Sequence, residues 1–327
     1  MSSYFSRLSK VLFGLLAATL SVASSAQENY PNHPIRILVA FAPGGATDIL
    51  ARTIANGLSE RLGQPVIIEN KPGAATIVAA SALAKAAPDG YTLMVGSAST
   101  LTVNPVLRSS LPYDPIRSFS QIGSLARMDL VIVVNKDSPI RDLKELVEQA
   151  RARPGTLSFA TFGAGTSVHF AAEMLVSAAN LNMVHVPYNG SSPSLTALLG
   201  NQVNSAFDTA VASGPFIKTG RLRALAVLST HRAALLPEVP TVAESGFPDV
   251  HYDTWFSLMG PAGMPPEVLR KLERTLVQVL GTAGIRKQLL DAGLAPDPGT
   301  GAAVAERIEQ ELPKLRAVAA RASMKMQ

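Results

Sequence analysis

The chain has 327 residues, 47% of them hydrophobic and 16% charged, with no cysteine and a formal net charge of +5. That is enough apolar material for one large core or two smaller ones, and the lack of cysteine excludes disulfides, a thiolate nucleophile and a cysteine metal site. Basic and acidic residues are interspersed, with no Lys/Arg cluster interleaved with aromatics, so nucleic acid is not an expected partner.

Arg7 and Lys10 are followed by an apolar run over residues 11–20 and then by Ala23-Ser24-Ser25-Ala26, the layout of a cleavable secretory signal. The run is shorter than the roughly 20 apolar residues of a membrane span, which argues against an uncleaved anchor. Residues 1–26 are therefore expected to be a signal peptide, the mature chain to start near Gln27, and the protein to reside in the periplasm. Among the histidines, His33, His169, His185, His231 and His251, no two stand at zinc-ligand spacing. Neither metal nor cofactor is expected.

Ile35-Arg36-Ile37-Leu38-Val39 reads as a buried strand. After a Gly-rich turn, Leu50, Ile54, Leu58 and Leu62 recur at helical spacing, and Gly63 is a C-terminal stop. A strand over residues 66–69, an Ala-rich helix over 74–87 and a strand over 91–95 follow. This βαβαβ order implies a parallel sheet with helices on its faces.

A second unit starts near Met128 with a strand over 130–134. Asp142 and Glu145 form a capping box ahead of Leu143, Leu146, Val147 and Ala150, which share one helix face. Strands are predicted over 157–161, 183–186, 205–208 and 222–227, with a helix after residue 167. Residues 252–259 form a further strand, and everything after it reads as helix, over 266–280, 284–292 and about 301–322. If those last helices return to the first sheet, the first domain is discontinuous (27–127 and 251–327) around a second (128–250), joined by two crossovers. That is the geometry of a hinged clamp.

Phe41-Ala42-Pro43-Gly44-Gly45-Ala46-Thr47-Asp48 leaves a strand and opens a helix. Glycines let backbone amides approach a ligand, and a helix start adds unsatisfied donors and partial positive charge. Together they suit a carboxylate or phosphate without any Lys or Arg; the plainer reading is a tight turn with Thr47 or Asp48 as N-cap. In the second unit Thr161 ends a strand, and Phe162-Gly163-Ala164-Gly165-Thr166-Ser167 repeats the design. Both loops fall at the carboxyl ends of strands, where open α/β sheets bind ligands. Ser97, Ser99, Tyr188, Asn189, Ser191, Ser192, Asp208 and Thr209 occupy corresponding strand ends. Asp208 suits a ligand ammonium or hydroxyl, or equally a structural carboxylate. His169 and Glu173, four apart on one helix, are read as a structural or ligand-edge pair, because no third ligand accompanies them. Trp255, the only tryptophan, is expected in the core near a crossover or lining the cleft.

No G-x-S-x-G elbow and no G-x-x-x-x-G-K-[ST] loop occurs. Gly44-Gly45 with Glu69 is an imperfect dinucleotide pattern, because the glycines are adjacent rather than spaced G-x-G-x-x-G. An exported nucleotide-cofactor enzyme is thus the weaker alternative, and no catalytic residue is assigned.

The mature chain resembles the substrate-binding proteins of tripartite tricarboxylate transporters, the Bug family. The resemblance runs from Tyr30-Pro31-Asn32-His33-Pro34 through the Pro43-Gly44-Gly45 loop, Glu69-Asn70-Lys71-Pro72-Gly73-Ala74, Ala87-Pro88-Asp89-Gly90-Tyr91, Leu111-Pro112-Tyr113-Asp114-Pro115, Val184-His185-Val186-Pro187-Tyr188, Leu222-Arg223-Ala224-Leu225-Ala226-Val227 and Val239-Pro240-Thr241. It implies a two-lobed, periplasmic-binding-protein-like α/β fold with a hinged interdomain cleft. It also implies a monomeric, non-catalytic receptor for a small organic carboxylate or amino acid, and membrane transporter subunits or a sensor receptor as partner. In such proteins the Pro-Gly-Gly loop holds a carboxylate through backbone donors and waters, faced here by the Gly163–Ser167 loop. Ala46, Ala75-Thr76-Ile77 and Thr209-Ala210-Val211 depart from the family pattern and leave the ligand open.

Overall fold

Two β-sheets organise the chain, which leaves the first and later returns to it. The computed structural model describes residues 30–322 and 324, and the expected signal peptide lies outside them. The first sheet has the order β11-β4-β10-β3-β1-β2. It comprises β1 (Ile35–Val39), β2 (Val66–Asn70), β3 (Thr92–Ser97), β4 (Phe119–Met128), β10 (Thr254–Pro261) and β11 (Leu294–Thr300). The second has the order β7-β6-β8-β5-β9, from β5 (Leu130–Asn135), β6 (Ser158–Thr161), β7 (Val184–Pro187), β8 (Ser205–Thr209) and β9 (Leu222–Val227). Only Asp129 separates β4 in one sheet from β5 in the other. The return runs from β9 to β10, where the Tyr252 amide bonds the Leu228 carbonyl at 2.7 Å. The molecule is thus a two-lobed α/β protein with two crossovers.

Helix formation follows the sequence closely. Helix α1 (Ala46–Leu62) buries Leu50, Ile54 and Leu58, a stripe at the 3.6-residue period. Gly63, at φ +69°, ends it by returning its amide to the Ser59 carbonyl at 3.0 Å. Next come α2 (Ile77–Ala84), the short α3 (Asn104–Leu107) and α4 (Leu143–Ala152). Asp142 caps α4 by accepting from the Glu145 amide at 2.8 Å. Helices α5 (Ser167–Ala178), α6 (Ser191–Leu199) and α7 (Ala210–Lys218) cover the second sheet. After β10, α8 (Pro266–Gly281), α9 (Ala283–Asp291) and α10 (Gly301–Arg321) pack back onto the first lobe. Trp255 lies in that core, with Nε1 donating to Glu311 at 2.9 Å and the Arg307 guanidinium 4.7 Å from its ring.

Three expectations need correction. The sheet of the first lobe is mixed: β1 is parallel to β2 and β3, but β10 is antiparallel to β3 and β4, and β11 antiparallel to β4. Residues 119–128 are a strand the periodicity did not reveal, and the segment after β10 is not all helix, because Leu294–Thr300 forms β11. Pro296 and Pro298 disguise it; it lies at the sheet edge, where a strand tolerates proline. The Ala-rich segment begins its α-helix only at Ile77. Ala74, Ala75 and Thr76 hold φ of 45°, 52° and 82°, with the Ala75 carbonyl taken by the Asn104 side chain at 2.6 Å.

Candidate functional site

The first loop is held from behind. Gly45 is the N-cap of α1 and no side chain caps it, so neither Thr47 nor Asp48 plays that part. Asp48 instead turns inward. One oxygen accepts from the Gly44 amide at 3.0 Å and from Arg52 Nε at 2.9 Å, the other from Asn70 Nδ2 at 3.0 Å. Asn70 also donates to the Phe41 carbonyl at 3.1 Å, which ties both ends of the loop to the end of β2. Burial pushes the Asp48 carboxyl up, but the bonds from Arg52, Gly44 and Asn70 outweigh it and hold the group below the usual carboxylate range. Asp48 shapes the loop. The amides at the start of α1, those of Ala46 and Thr47, have no acceptor within the helix and sit at its positive end.

The second loop is built on a histidine. Thr166 caps α5, accepting from the His169 amide at 3.3 Å while donating to the Gly163 carbonyl at 2.7 Å. The Gly165 amide donates to His169 Nδ1 at 3.1 Å. With Nδ1 as acceptor, the ring proton belongs on Nε2, which lies 3.4 Å from Glu173. The His169–Glu173 pair therefore supports the loop. The His169 ring stacks on His185 at 4.1 Å, and His185 on Phe159 at 5.0 Å. Burial, then the neighbouring His169, lower the His185 pKa to about 3. His185 Nε2 meets Thr161 Oγ1 at 2.7 Å, and Thr161 in turn accepts from the Gly163 amide at 3.3 Å.

The two loops meet. The Ala42 amide donates to the Asn189 carbonyl at 3.2 Å, and Ser192 Oγ donates to the Pro43 carbonyl at 2.9 Å. Phe41 and Phe162 pack edge to face at 5.3 Å. Deeper in, the Ser167 amide donates to Ser99 Oγ at 2.8 Å, and Thr254 Oγ1 reaches Ser167 Oγ at 3.3 Å. Between these contacts lies a cavity lined by Phe41, Gly45, Ala46, Thr47, Met128, Phe162, Ser191 and Thr209. It leaves about 10 Å³ for the centre of a water-sized sphere, room for about one water molecule.

Asp208 stands behind that cavity. It is fully buried; Oδ1 accepts from Ser191 Oγ and from the Thr209 amide at 2.6 Å, while Oδ2 has no hydrogen-bond partner among the described residues. Burial pushes its pKa up to about 6.

Of the residues singled out in the sequence, Phe41, Gly45, Ala46, Thr47, Phe162, Ser191 and Thr209 line the cavity. Ala42, Pro43 and Gly44 abut the start of α6, while Ser99 and Ser167 join the lobes. Ser97 faces inward to Thr100 at 3.4 Å, Ala164 is half-buried in its loop, and Tyr188 packs on the second-lobe core. Met128, Thr254 and Asn70 were not anticipated; Met128 belongs to the strand the periodicity missed. A larger cavity of about 600 Å³ opens elsewhere on the boundary of the lobes, lined mainly by aliphatic side chains such as Ile49, Val211, Leu235 and Leu236, with Lys218, Glu238 and Asp291 as its charged groups.

Residues 50–323 match the family model described as the tripartite tricarboxylate transporter family receptor. The chain is 40% identical over 257 residues to a UPF0065 protein of Bordetella pertussis, covering 78% of this chain and 79% of that one. It is 36% identical to protein BugT of the same organism, over 87% of this chain and 88% of that one. Among solved structures, periplasmic binding protein BugD matches with a TM-score of 0.88 at 31% identity, over 91% of this chain and all of that one. R. palustris Rpa4515 with adipate matches at 0.87 and 32%, over 90% and 99% of the two chains. MatC from Rhodopseudomonas palustris with bound malate matches at 0.85 and 30%, over 88% and 99%.

Proposed function

The chain belongs to the tripartite tricarboxylate transporter receptor family, a family of solute-binding proteins rather than enzymes, and from that premise we propose that it captures a small organic carboxylate between its lobes and presents it to membrane subunits of such a transporter. The observation that carries this is the pairing of two strand-to-helix loops, one per lobe, around a single cavity walled by Gly45, Ala46 and Thr47. Backbone donors at a helix start bind an anion without a cationic side chain. Adipate and malate in the neighbouring structures are carboxylates of the size such a site takes.

In this proposal residues 27–127 and 251–327 form one lobe and 128–250 the other, hinged at the crossovers near Asp129 and Tyr252. Residues 1–26 direct export to the periplasm. The test is isothermal titration of the mature protein with succinate, malate, adipate, citrate, benzoate and aspartate. One carboxylate class should bind with a dissociation constant near micromolar, about −8.2 kcal/mol, and Gly45→Val should abolish it. Silence across the whole set overturns the proposal.

A further inference from the structure

The walls of the cavity differ in hydrogen-bonding sense. The first lobe supplies donors, the amides at the start of α1. On the second lobe the wall includes Ser191. A serine hydroxyl has one hydrogen to donate and two lone pairs. The hydrogen of Ser191 goes to Oδ1 of the buried Asp208, which also takes the Thr209 amide. This holds whether Asp208 is ionised or not, because Oδ1 already has two donors and a proton would sit on the unpartnered Oδ2. Ser191 is left with lone pairs alone to offer. The neighbouring Thr209 hydroxyl accepts from the Ala212 amide at 3.1 Å and stands beside the same Asp208 carboxyl.

We propose that this cavity selects carboxylates bearing a hydrogen-bond donor, a hydroxyl or an ammonium group, on the carbon next to the carboxylate, and that Ser191, oriented by Asp208, reads that donor. The inference rests on the carboxylate site proposed above. The start of α1 and Ser191 are close neighbours, since a Cβ built on Gly45 would lie 3.5 Å from Ser191 Cβ, so Ser191 stands nearest to what a carboxylate held by those amides carries on its adjacent carbon. Family membership does not decide the matter, since the neighbours include one structure with adipate, which has no such donor, and one with malate, which has.

The experiment is titration calorimetry on the mature protein with three matched sets: succinate, malate and aspartate; propionate, lactate and alanine; phenylpropionate, phenyllactate and phenylalanine. Within the set that binds, a donor-bearing member should bind at least about tenfold more tightly than its unsubstituted parent. Ser191→Ala should bring that ratio close to one. Asp208→Asn keeps an oxygen for Ser191, so it should spare a hydroxyl preference and weaken an ammonium preference. A parent that binds as tightly as its substituted partners, or a ratio that survives Ser191→Ala in a folded protein, overturns the inference and leaves the carboxylate site standing. If no member of any set binds, the carboxylate site falls and this selectivity with it.

Discussion

The backbone amide of Ala42 in the first lobe donates to the carbonyl of Asn189 in the second at 3.2 Å, so the loops that wall the cavity are bonded directly to each other. With about 10 Å³ left between them, no organic acid can reach the helix-start amides while that bond is made. If a carboxylate binds there as proposed, entry requires the lobes to part. In small-angle X-ray scattering, the unliganded mature protein should show a larger radius of gyration than this closed form, shrinking when a bound carboxylate saturates it. An unliganded radius equal to that of the closed form, unchanged by ligand, would show that the site does not work by closure.

Asp48 should matter to folding as well as to binding. Replacing it with Asn turns an amide nitrogen toward one of these donors whichever way the amide lies, and removes the charge that Arg52 meets. Loss of such bonds to a charged acceptor costs about 1–3 kcal/mol, with the share from the exposed Arg52 at the low end. The folded carboxyl titrates below its ordinary value of 3.8, so its stabilisation is complete above that pH and is lost as pH falls through the depressed value. Urea unfolding should show a stability gap between wild type and Asp48→Asn at pH 7 that narrows below about pH 4.

His185 and Asp208 should pull stability in opposite directions between pH 4 and 6. The His185 pKa falls from 6.5 to about 3 on folding, so its contribution is full above 6.5 and declines as pH drops toward 3. The Asp208 pKa rises from 3.8 to about 6, so its contribution is full below 3.8 and is lost as pH climbs through 6. Each can change stability by at most about 1.4 kcal/mol per pH unit, and in this window they offset each other. His185→Gln should therefore tilt the stability profile downward with rising pH, and Asp208→Asn should tilt it upward. Urea titrations at pH 4, 5 and 6 giving tilts of the same sign would contradict the burial of one of the two groups.

What could be read in the sequence was whatever local chemistry dictates. The Leu50, Ile54 and Leu58 stripe, the Gly63 stop and the Asp142 cap need only neighbours within a turn or two, and they appear as expected. Strand β11 was hidden because Pro296 and Pro298 argue against a strand unless its position at an edge is known. Ala74 to Thr76 look helical by propensity, but Asn104 and Thr100 hold that segment in a left-handed turn from more than twenty residues away. The loops of the site were legible as small residues between strand and helix. The inward turn of Asp48 was not, because Asn70 reaches it across a strand pair. Nor were the bonds joining Ser99 to Ser167, 68 residues apart in sequence.

The adjacent glycines of the first loop should separate folding from binding. Gly44 has φ +85°, and a Cβ there would come within 3.0 Å of Ser192 Oγ. Gly44→Ala forces a left-handed conformation on a side chain and crowds the bond from Ser192 to Pro43; a loss of about 1–2 kcal/mol in stability is expected. Gly45 has φ −84°, which any residue adopts, and a Cβ there meets Ser191 Cβ at an ordinary 3.5 Å. Gly45→Ala should therefore fold with a midpoint within about 0.5 kcal/mol of wild type. Its methyl, however, projects into the space between the helix-start amides and Ser191, so carboxylate affinity should fall at least about tenfold, or 1.4 kcal/mol. Thermal melts paired with calorimetric titration on both variants distinguish the roles. A Gly45→Ala protein that keeps full affinity would place the carboxylate elsewhere in the cleft, whatever happens at Gly44.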